Sequence, residues 1–357
     1  MRRLMAFFFL LASAAARPAA TPQPVLPPDP TPTYANVAYA PAPSDTSRGH
    51  LLDLYLPAST TPLPLVIWTG GSAWLKDNGK DSAGWLVPVL TKAGYAVAGV
   101  SIRPSSEVKF PGQLYDIKAA IRFLRANAAI YNIDPARIAI IGDSSGGWTA
   151  AMAALTGDDP ALEGDIGTTG VSSTVAAAIA FYPPTRFTIM DRWAARPCKP
   201  GTFAPGFTQF CHNSEDSPES RLIGCQIQEC ADQAVLADPA RYVDAKSPPM
   251  MILHGQSDPL VPHAQGEWLY QALNKACRDA IFISLPRAGH GPPRAFLTDK
   301  FLTEGATIRL TSSNGCRVKP PDLYKPGWFT VIGFLDGILK PKPAAKAAAK
   351  PAAKVEP

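Results

Sequence analysis

The sequence predicts an α/β fold in which a mostly parallel sheet is covered by helices on both faces. Short apolar runs alternate with longer amphipathic stretches between residues 34 and 340, which is the pattern of strands separated by helices. Of the 357 residues, 46% are hydrophobic and 18% are charged, so the chain can bury a sizeable core and is not disordered in composition. After residue 141 an apolar run gives way within a few residues to a helix-forming run, as a parallel strand does before its crossover helix.

The N-terminal segment predicts export. Arg2 and Arg3 precede the apolar run Leu4–Ala12, and alanines at residues 14–16 offer small side chains for cleavage, so residues 1–16 are predicted to be a signal peptide. A membrane anchor is the alternative, but the run has about half of the ~20 residues that a spanning helix needs. Residues 17–33 are rich in proline and predict an extended linker. We therefore expect a secreted or periplasmic protein without a transmembrane segment in its mature form.

A single folded domain is predicted over residues 34–340, followed by a Lys/Ala/Pro-rich disordered tail over residues 341–357. The formal charge of +5 comes mostly from Arg2, Arg3 and the lysines from Lys340 onward, so the folded body is close to neutral. A near-neutral body argues against a nucleic-acid-binding surface. The basic tail predicts weak association with an anionic cell envelope, and a merely solvated extension is an equal alternative.

Six cysteines in an exported chain predict disulfides rather than free thiols. Four of them cluster in sequence: Cys198, Cys211, Cys225 and Cys230. Cys277 and Cys316 lie apart from these, and we pair them with each other. A zinc site is the rival interpretation, but the sequence has no C-x-x-C pair and offers only His212 nearby as a nitrogen ligand. We therefore predict no metal site.

The predicted elements follow one another in the order expected of this fold class. Six strands are predicted at Leu65–Trp68, Ala96–Val100, Ile138–Ile141, Ala176–Phe181, Met250–Leu253 and Ile281–Leu285. Leu114, Ile117, Ile121 and Leu124 recur every three or four residues, which places them on the buried face of one helix. A last helix around Trp328–Leu339 closes the sheet.

Residues 183–240 interrupt this rhythm with an insertion that has no strand pattern. Prolines and the four clustered cysteines accumulate there, together with four aromatic residues: Trp193, Phe203, Phe207 and Phe210. Long insertions in α/β enzymes often form lids or walls of a binding site, and a purely stabilising flap is the alternative.

The motif Gly142-Asp143-Ser144-Ser145-Gly146 predicts a nucleophile. It directly follows the apolar strand that ends at Ile141 and precedes the helix-forming stretch Trp148–Leu155. A serine on a sharp strand-to-helix turn needs glycines two positions away on each side so that strand and helix can approach. The flanking elements make this motif informative, because G-x-S-x-G alone also occurs by chance.

A serine hydroxyl needs a neighbouring base, and the base needs an acid that fixes its tautomer. His290 follows the last predicted strand of the sheet in a glycine-flanked loop, and Asp258 follows the strand Met250–Leu253. The chain order serine, acid, histidine is that of α/β-hydrolases. Asp232 and Asp244 also precede His290 and stay open as alternative acids, although neither directly follows a clear strand.

Acyl transfer also requires donors for an oxyanion. The amide after the nucleophile belongs to Ser145, and the glycine-rich loop after the strand Leu65–Trp68 offers Gly71 and Ser72. Trp74 lies in the same loop and is predicted to contact the substrate.

With these residues the chain resembles α/β-hydrolase esterases of the carboxylesterase and hormone-sensitive-lipase-like group, most closely the feruloyl and acetylxylan esterase-like branch. The resemblance also rests on four short segments: Ser101-Ile102-Arg103, residues 116–120, residues 134–138 and Asp258-Pro259-Leu260-Val261-Pro262. It implies structural roles for Arg103 and Asp116. Thr69 departs from the family, which usually has histidine at that position.

The sequence thus predicts a secreted serine ester hydrolase without metal or organic cofactor. The resemblance and the aromatic insertion favour short-acyl or aromatic-acid esters, either small molecules or esters linked to a polysaccharide. A serine peptidase or amidase on the same fold and a lipase with an apolar lid are the alternatives. A non-catalytic binding protein on this fold would tolerate a damaged triad, whereas every triad position is intact here.

Overall fold

The computed structural model describes residues 30–194, 211–316 and 325–340. The predicted signal peptide (1–16), nearly all of the predicted linker (17–33) and the predicted tail (341–357) lie outside these residues. Cys198, Phe203, Phe207 and Phe210 of the insertion also lie outside them.

A nine-stranded sheet in the order β1-β2-β4-β3-β5-β6-β7-β8-β9 forms the centre of the molecule. Its strands span Tyr34–Ala38 (β1), Leu51–Tyr55 (β2), Leu63–Thr69 (β3), Ala96–Val100 (β4), Ile133–Asp143 (β5), Ala177–Phe181 (β6), Met250–Gly255 (β7), Ala280–Leu285 (β8) and Thr307–Thr311 (β9). Strands β4, β3, β5, β6, β7 and β8 pair in parallel, whereas β1, β2 and β9 pair antiparallel at the two sides. The predicted α/β class with a mostly parallel sheet is confirmed.

All six predicted strands belong to the parallel part of the sheet. Every residue of β3, β4, β6, β7 and β8 is buried, and only continuous apolar runs satisfy burial on both faces. The antiparallel strands were not predicted, since β1 and β9 are largely exposed or half-buried and mix polar with apolar residues. In β2 the apolar run is broken by Asp53, whose carboxylate accepts a hydrogen bond from the ammonium of Lys80 at 2.7 Å.

Ten α-helices are described, together with three short 3₁₀ segments. They span Val87–Lys92 (α1), Gly112–Ala126 (α2), Ser145–Leu155 (α3), Met190–Trp193 (α4), Pro218–Ile223 (α5), Ala231–Leu236 (α6), Ala264–Lys275 (α7), Ala295–Thr298 (α8), Lys300–Thr303 (α9) and Trp328–Leu339 (α10). The four spaced apolar residues of α2 are all buried, and α10 has the predicted bounds. Within the described residues no helix is long and apolar enough to span a bilayer.

Two apolar clusters, one on each face of the sheet, form the core. Trp148 of α3 and Leu114 of α2 belong to one cluster, and Phe296 of α8 and Leu335 of α10 belong to the other. Trp148 is fully buried, and its indole N–H donates to the carbonyl of Ala237 at 2.7 Å. This hydrogen bond links α3, the helix that follows Ser144, to the C-terminal end of the insertion.

Arg103 and Asp116 form a structural ion pair, with 2.6 Å between Nη2 of the arginine and Oδ1 of the aspartate. Asp116 is fully buried and also lies 3.1 Å from Nε2 of His50. The pair fastens the segment after β4 to α2. Neither residue lines the cavity that contains Ser144 and His290.

The predicted pairing of Cys277 with Cys316 is confirmed, with a Cα–Cα distance of 4.5 Å. A second disulfide joins Cys225 and Cys230 within the insertion, and Cys211 is disulfide-bonded as well. The Cys277–Cys316 bridge connects the end of α7 to the segment after β9. It therefore closes a loop that contains β8, His290 and β9.

Removal of the Cys277–Cys316 bridge is expected to lower the free energy of unfolding by about 3 to 4 kcal/mol, because its 39-residue separation strongly restrains the unfolded chain. Denaturant unfolding of a variant with both cysteines replaced by serine measures this loss. The matched control replaces Cys225 and Cys230, whose separation of 5 residues predicts a smaller loss of about 2 kcal/mol. An equal or larger loss in the control variant would contradict the loop-closure account.

Candidate active site

Ser144 occupies the sharp turn between β5 and α3. Its backbone has φ 52° and ψ −124°, a strained conformation for a residue with a side chain. A Cβ at Gly142 would lie 2.1 Å from the carbonyl oxygen of Gly146, and a Cβ at Gly146 would lie 2.1 Å from that of Thr69. Only glycine fits at either position, so the two glycines permit the close approach that raises Ser144 above the sheet edge.

Ser144, His290 and Asp258 form a continuous hydrogen-bonded chain. Nε2 of His290 lies 3.0 Å from Oγ of Ser144, and Nδ1 lies 2.8 Å from Oδ2 of Asp258. These separations are those expected of a nucleophile, its base and the acid that orients the base. The structure thus brings the three predicted residues together, and their catalytic roles stay a prediction. Asp232 lies exposed in α6 and Asp244 lies in an exposed turn, so neither takes part in this chain.

Asp258 is held as an anion by the groups around it. Its burial alone would raise the pKa, but hydrogen bonds from His254 and His290 outweigh burial and hold the pKa well below its ordinary value. Oδ1 also accepts the backbone N–H groups of Leu260 and Val261, each at 2.9 Å. An ionised carboxylate stabilises the imidazolium that forms when the histidine takes a proton from serine.

Asp143 and Tyr182 also belong to the site, although neither was expected there from the sequence. The hydroxyl of Tyr182 donates to Oδ2 of Asp143 at 3.1 Å, and its ring centroid lies 4.5 Å from that of His290. Burial raises the pKa values of both side chains. Tyr182 directly follows β6, which places it at the same edge of the sheet as Ser144. This position was the one feature of the sequence from which its role in the site could have been predicted.

The amides predicted for the oxyanion differ in their bonding. The N–H of Gly71 donates to Oδ1 of Asp143 at 2.8 Å, so it is engaged by a carboxylate and is not the open donor that the sequence predicted. The N–H of Ser72 donates to the hydroxyl oxygen of Ser145 at 2.9 Å, and a hydroxyl is a weaker acceptor that can rotate away. Ser145 begins α3, where backbone N–H groups lack intrahelical partners. The geometry therefore favours Ser145 and Ser72 over Gly71.

Ser144 and His290 face a cavity of about 520 Å³. Its wall includes Ser72, Trp74, Lys76, Asn78, His212, Glu219 and Val261. Such a volume suits a small organic substrate with part of its surface buried. The lining combines apolar side chains with polar and charged ones, so the cavity offers hydrogen-bonding partners beside apolar surface.

The aromatic residues offer less stacking surface than the sequence predicts. Trp74 lines the cavity, but it is only 3% exposed and its ring packs edge-on against Trp148 and Phe187, at centroid distances of 5.3 and 5.8 Å. Trp193 of the insertion packs near Trp268 and is not among the described residues that line the cavity. Trp74 can therefore contact a substrate with only a small part of its ring.

Over residues 30–194, 211–316 and 325–340, no group of three or more His, Cys, Asp and Glu side chains is placed to hold a metal ion. The prediction that the chain needs no metal or organic cofactor stays a prediction. The arrangement present can generate an alkoxide-like nucleophile with side chains alone, because His290 provides a base and Asp258 a buried anion.

The BD-FAE family profile matches residues 52–273 of the chain. Esterase LipQ of Mycobacterium tuberculosis is 28% identical over 260 residues, which are 72% of this chain and 56% of LipQ. A truncated carbohydrate esterase from gut microbiota superposes with a TM-score of 0.63 at 35% identity, covering 76% of this chain and 93% of that one. The bifunctional GH43-CE of Bacteroides eggerthii gives the same TM-score at 34% identity, over 72% of this chain and 35% of that one.

The chain spans little more than half the length of LipQ. The family match covers the strands β2 to β7 and most of α7, and so includes Ser144 and Asp258. His290 lies beyond its end, so the position of that residue rests on the geometry above.

Proposed function

The chain belongs to the BD-FAE family of α/β-hydrolase esterases, and from this premise we propose that it hydrolyses carboxylic esters through a Ser144 acyl-enzyme. The observation that carries the proposal is the hydrogen-bonded chain from Ser144 Oγ through His290 to Asp258 at the wall of the cavity. That chain provides a nucleophile, a base and a fixed anion within direct reach of a bound ester.

In the first half of the reaction, Oγ of Ser144 attacks the ester carbonyl carbon while Nε2 of His290 takes the hydroxyl proton. The negative charge on the carbonyl oxygen is stabilised by the backbone amides of Ser145 and Ser72, the latter after Ser145 Oγ rotates away. The tetrahedral intermediate then expels the alcohol, which takes the proton from His290. Asp258 keeps Nδ1 protonated throughout and stabilises the transient imidazolium.

In the second half, a water molecule attacks the acyl-enzyme carbonyl and gives its proton to Nε2 of His290. Collapse of the second intermediate releases the carboxylic acid and returns the proton to Oγ of Ser144. The same amides stabilise both oxyanions. The ester and one water molecule enter, the alcohol and the carboxylic acid leave, and Ser144 and His290 return to their starting protonation states.

Short-acyl and aromatic-acid esters are expected to be the preferred substrates. The cavity of about 520 Å³ includes polar side chains such as Ser72 and Asn78 in its wall, and a flexible fatty chain would screen these from water without hydrogen-bonding them. The gut carbohydrate esterase and the Bacteroides eggerthii enzyme named above support a carbohydrate-linked ester as the natural substrate.

A comparison of kcat/KM on acetyl, feruloyl and palmitoyl esters, beside an aminoacyl amide, tests this preference. We expect acetyl and feruloyl esters to exceed palmitoyl esters by at least about tenfold, which is the effect of a few mismatched methylenes or one unpaired polar group. Preferred cleavage of palmitoyl esters would indicate a lipase, and preferred cleavage of the amide would indicate a peptidase or amidase.

We also propose that the protein is exported. The predicted signal peptide at residues 1–16 supports this, and so do the disulfides Cys225–Cys230 and Cys277–Cys316, because such bridges persist in oxidising compartments. N-terminal sequencing of the mature protein tests the proposal. An intact N-terminus on a protein retained in the cytosol would refute it.

A further inference from the structure

A second charged pair, separate from the triad, lies at the wall of the same cavity. Nδ1 of His212 is 3.1 Å from Oε2 of Glu219, and the two residues are 2% and 3% exposed. Both line the cavity together with Ser144 and His290. Both belong to the described part of the cysteine-rich insertion, so the insertion contributes a wall of the candidate active site.

The backbone around this pair is fixed by its own hydrogen bonds. Both carboxylate oxygens of Asp191 are used, one accepting the N–H of His212 and the other that of Asn213, each at 2.8 Å. Ser217 caps α5, with its side chain accepting the N–H of Ser220, and Glu219 lies in the first turn of that helix. The two charged side chains are therefore held in place at the cavity rather than free to rotate into solvent.

The neighbours of His212 oppose the effect of its burial. Burial would lower the pKa of His212, but Glu219 and a hydrogen bond with the backbone of Leu260 outweigh it and raise the pKa above the ordinary value. A buried ion pair recovers little of the cost of removing both charges from water, so stability alone is a weak reason for its presence. Charges kept beside a cavity retain the capacity to bind a polar group of a ligand.

The carboxylate of Glu219 has a free acceptor position. Oε2 lies 3.1 Å from Nδ1 of His212 but accepts no hydrogen bond of good geometry, and no residue of the described ranges 30–194, 211–316 and 325–340 donates a hydrogen bond to Oε1. The wall of the same cavity also contains apolar side chains such as Leu260 and Val261. An acceptor at one point of an otherwise partly apolar wall matches a substrate with a hydroxyl group on a largely apolar body.

We propose that the His212–Glu219 pair is a specificity-determining site, at which Oε1 of Glu219 accepts a hydrogen bond from a hydroxyl group of the ester substrate. His212 is a positioning residue that holds the carboxylate in its orientation through the 3.1 Å contact. This inference rests on the ester hydrolase activity proposed above and adds the feature of the substrate that this wall selects. Because the acceptor is charged, a substrate with the hydroxyl is favoured over its analogue without it by a factor on the order of 10 to 100.

The hydroxyl can belong to either half of the ester, and two substrate pairs distinguish the sources. In the first pair, a methyl xylopyranoside monoacetate is compared with cyclohexyl acetate, which lacks the ring hydroxyls on the alcohol side. In the second, methyl 4-hydroxycinnamate is compared with methyl cinnamate, which lacks the hydroxyl on the acyl side. For each pair the measured quantity is the ratio of kcat/KM for the hydroxylated ester to that for the plain ester.

The variant Glu219→Gln is expected to lower this ratio by about tenfold or more in one of the two pairs, mainly through a higher KM for the hydroxylated ester. Glu219→Asp keeps the charge but withdraws it by one methylene, so it should give an intermediate ratio; it also carries the test if Glu219→Gln does not fold. Glu229→Gln removes the same charge from an exposed position of the same insertion and should keep the wild-type ratio.

The outcomes separate this inference from the proposed function. A wild-type protein that cleaves none of the four esters refutes the ester hydrolase activity itself. If the wild type is active and Glu219→Gln leaves the kcat/KM ratio unchanged in both substrate pairs, the His212–Glu219 pair has only a structural role. That result overturns the inference.

Discussion

Replacement of Ser144 by alanine is expected to lower kcat for ester hydrolysis by a factor on the order of 10⁶, while the protein stays folded. The variant removes the one atom that forms the covalent intermediate, and His290 at 3.0 Å then has no hydroxyl to deprotonate. The substitution should not disturb the turn, because serine and alanine both carry a Cβ and therefore experience the same backbone strain at φ 52°. Burst and steady-state kinetics on an acetyl ester measure the loss.

Two controls accompany this measurement. The thermal unfolding midpoint of the variant should stay close to that of the wild type, which separates a lost nucleophile from a lost fold. An alkyl phosphonate ester should label the wild type at the peptide that contains Ser144 and should not label the variant. Turnover of Ser144→Ala near the wild-type rate, or labelling at another serine, would refute the assignment of the nucleophile.

The parallel strands and the triad were predictable because each depends on local sequence. A strand buried on both faces must be continuously apolar, and the residues that follow such strands at their carboxyl ends meet at one sheet edge. Ser144, Asp258 and His290 each follow strands of this kind, so their convergence could be inferred without coordinates. Gly142 and Gly146 made the motif more specific, because the turn at Ser144 leaves no room for a Cβ at either position.

The rest depended on contacts between distant segments. The bond from Gly71 to Asp143 joins residues 72 apart in sequence, and no local pattern shows that this amide is already occupied. Tyr182 reaches Asp143 across neighbouring strands of the sheet. Likewise, the charges of His212 and Glu219 are unremarkable in sequence, because exposed histidines and glutamates are common. Only their burial beside the cavity distinguishes them.

The antiparallel strands show a different limit. Among the strands that the structure describes, β1 pairs only with β2 and β9 pairs only with β8, and both strands keep much of their surface near water. Mixed polar and apolar residues satisfy such edges, and the same mixture occurs in loops. Their assignment requires the pairing partner, which the sequence of the strand itself does not specify.

Asp258→Asn is expected to lower kcat by a factor of roughly 10⁴ without unfolding the protein. The backbone N–H groups of Leu260 and Val261 both point at Oδ1 at 2.9 Å, so the amide oxygen of asparagine should stay there and its NH₂ group should face His290. Nδ1 of His290 must then accept a hydrogen bond and lose its proton. The remaining proton lies on Nε2, which faces Ser144 and can no longer act as a base.

The pH dependence and two matched variants make this prediction specific to the tautomer. Asp232→Asn and Asp244→Asn remove the same charge from exposed positions upstream and should keep wild-type kcat. In Asp258→Asn, activity should recover partly at high pH, where hydroxide replaces the missing base in deacylation. If Asp232→Asn or Asp244→Asn instead causes the large loss and Asp258→Asn does not, the carboxylate that orients His290 in solution differs from the one that lies 2.8 Å from it here.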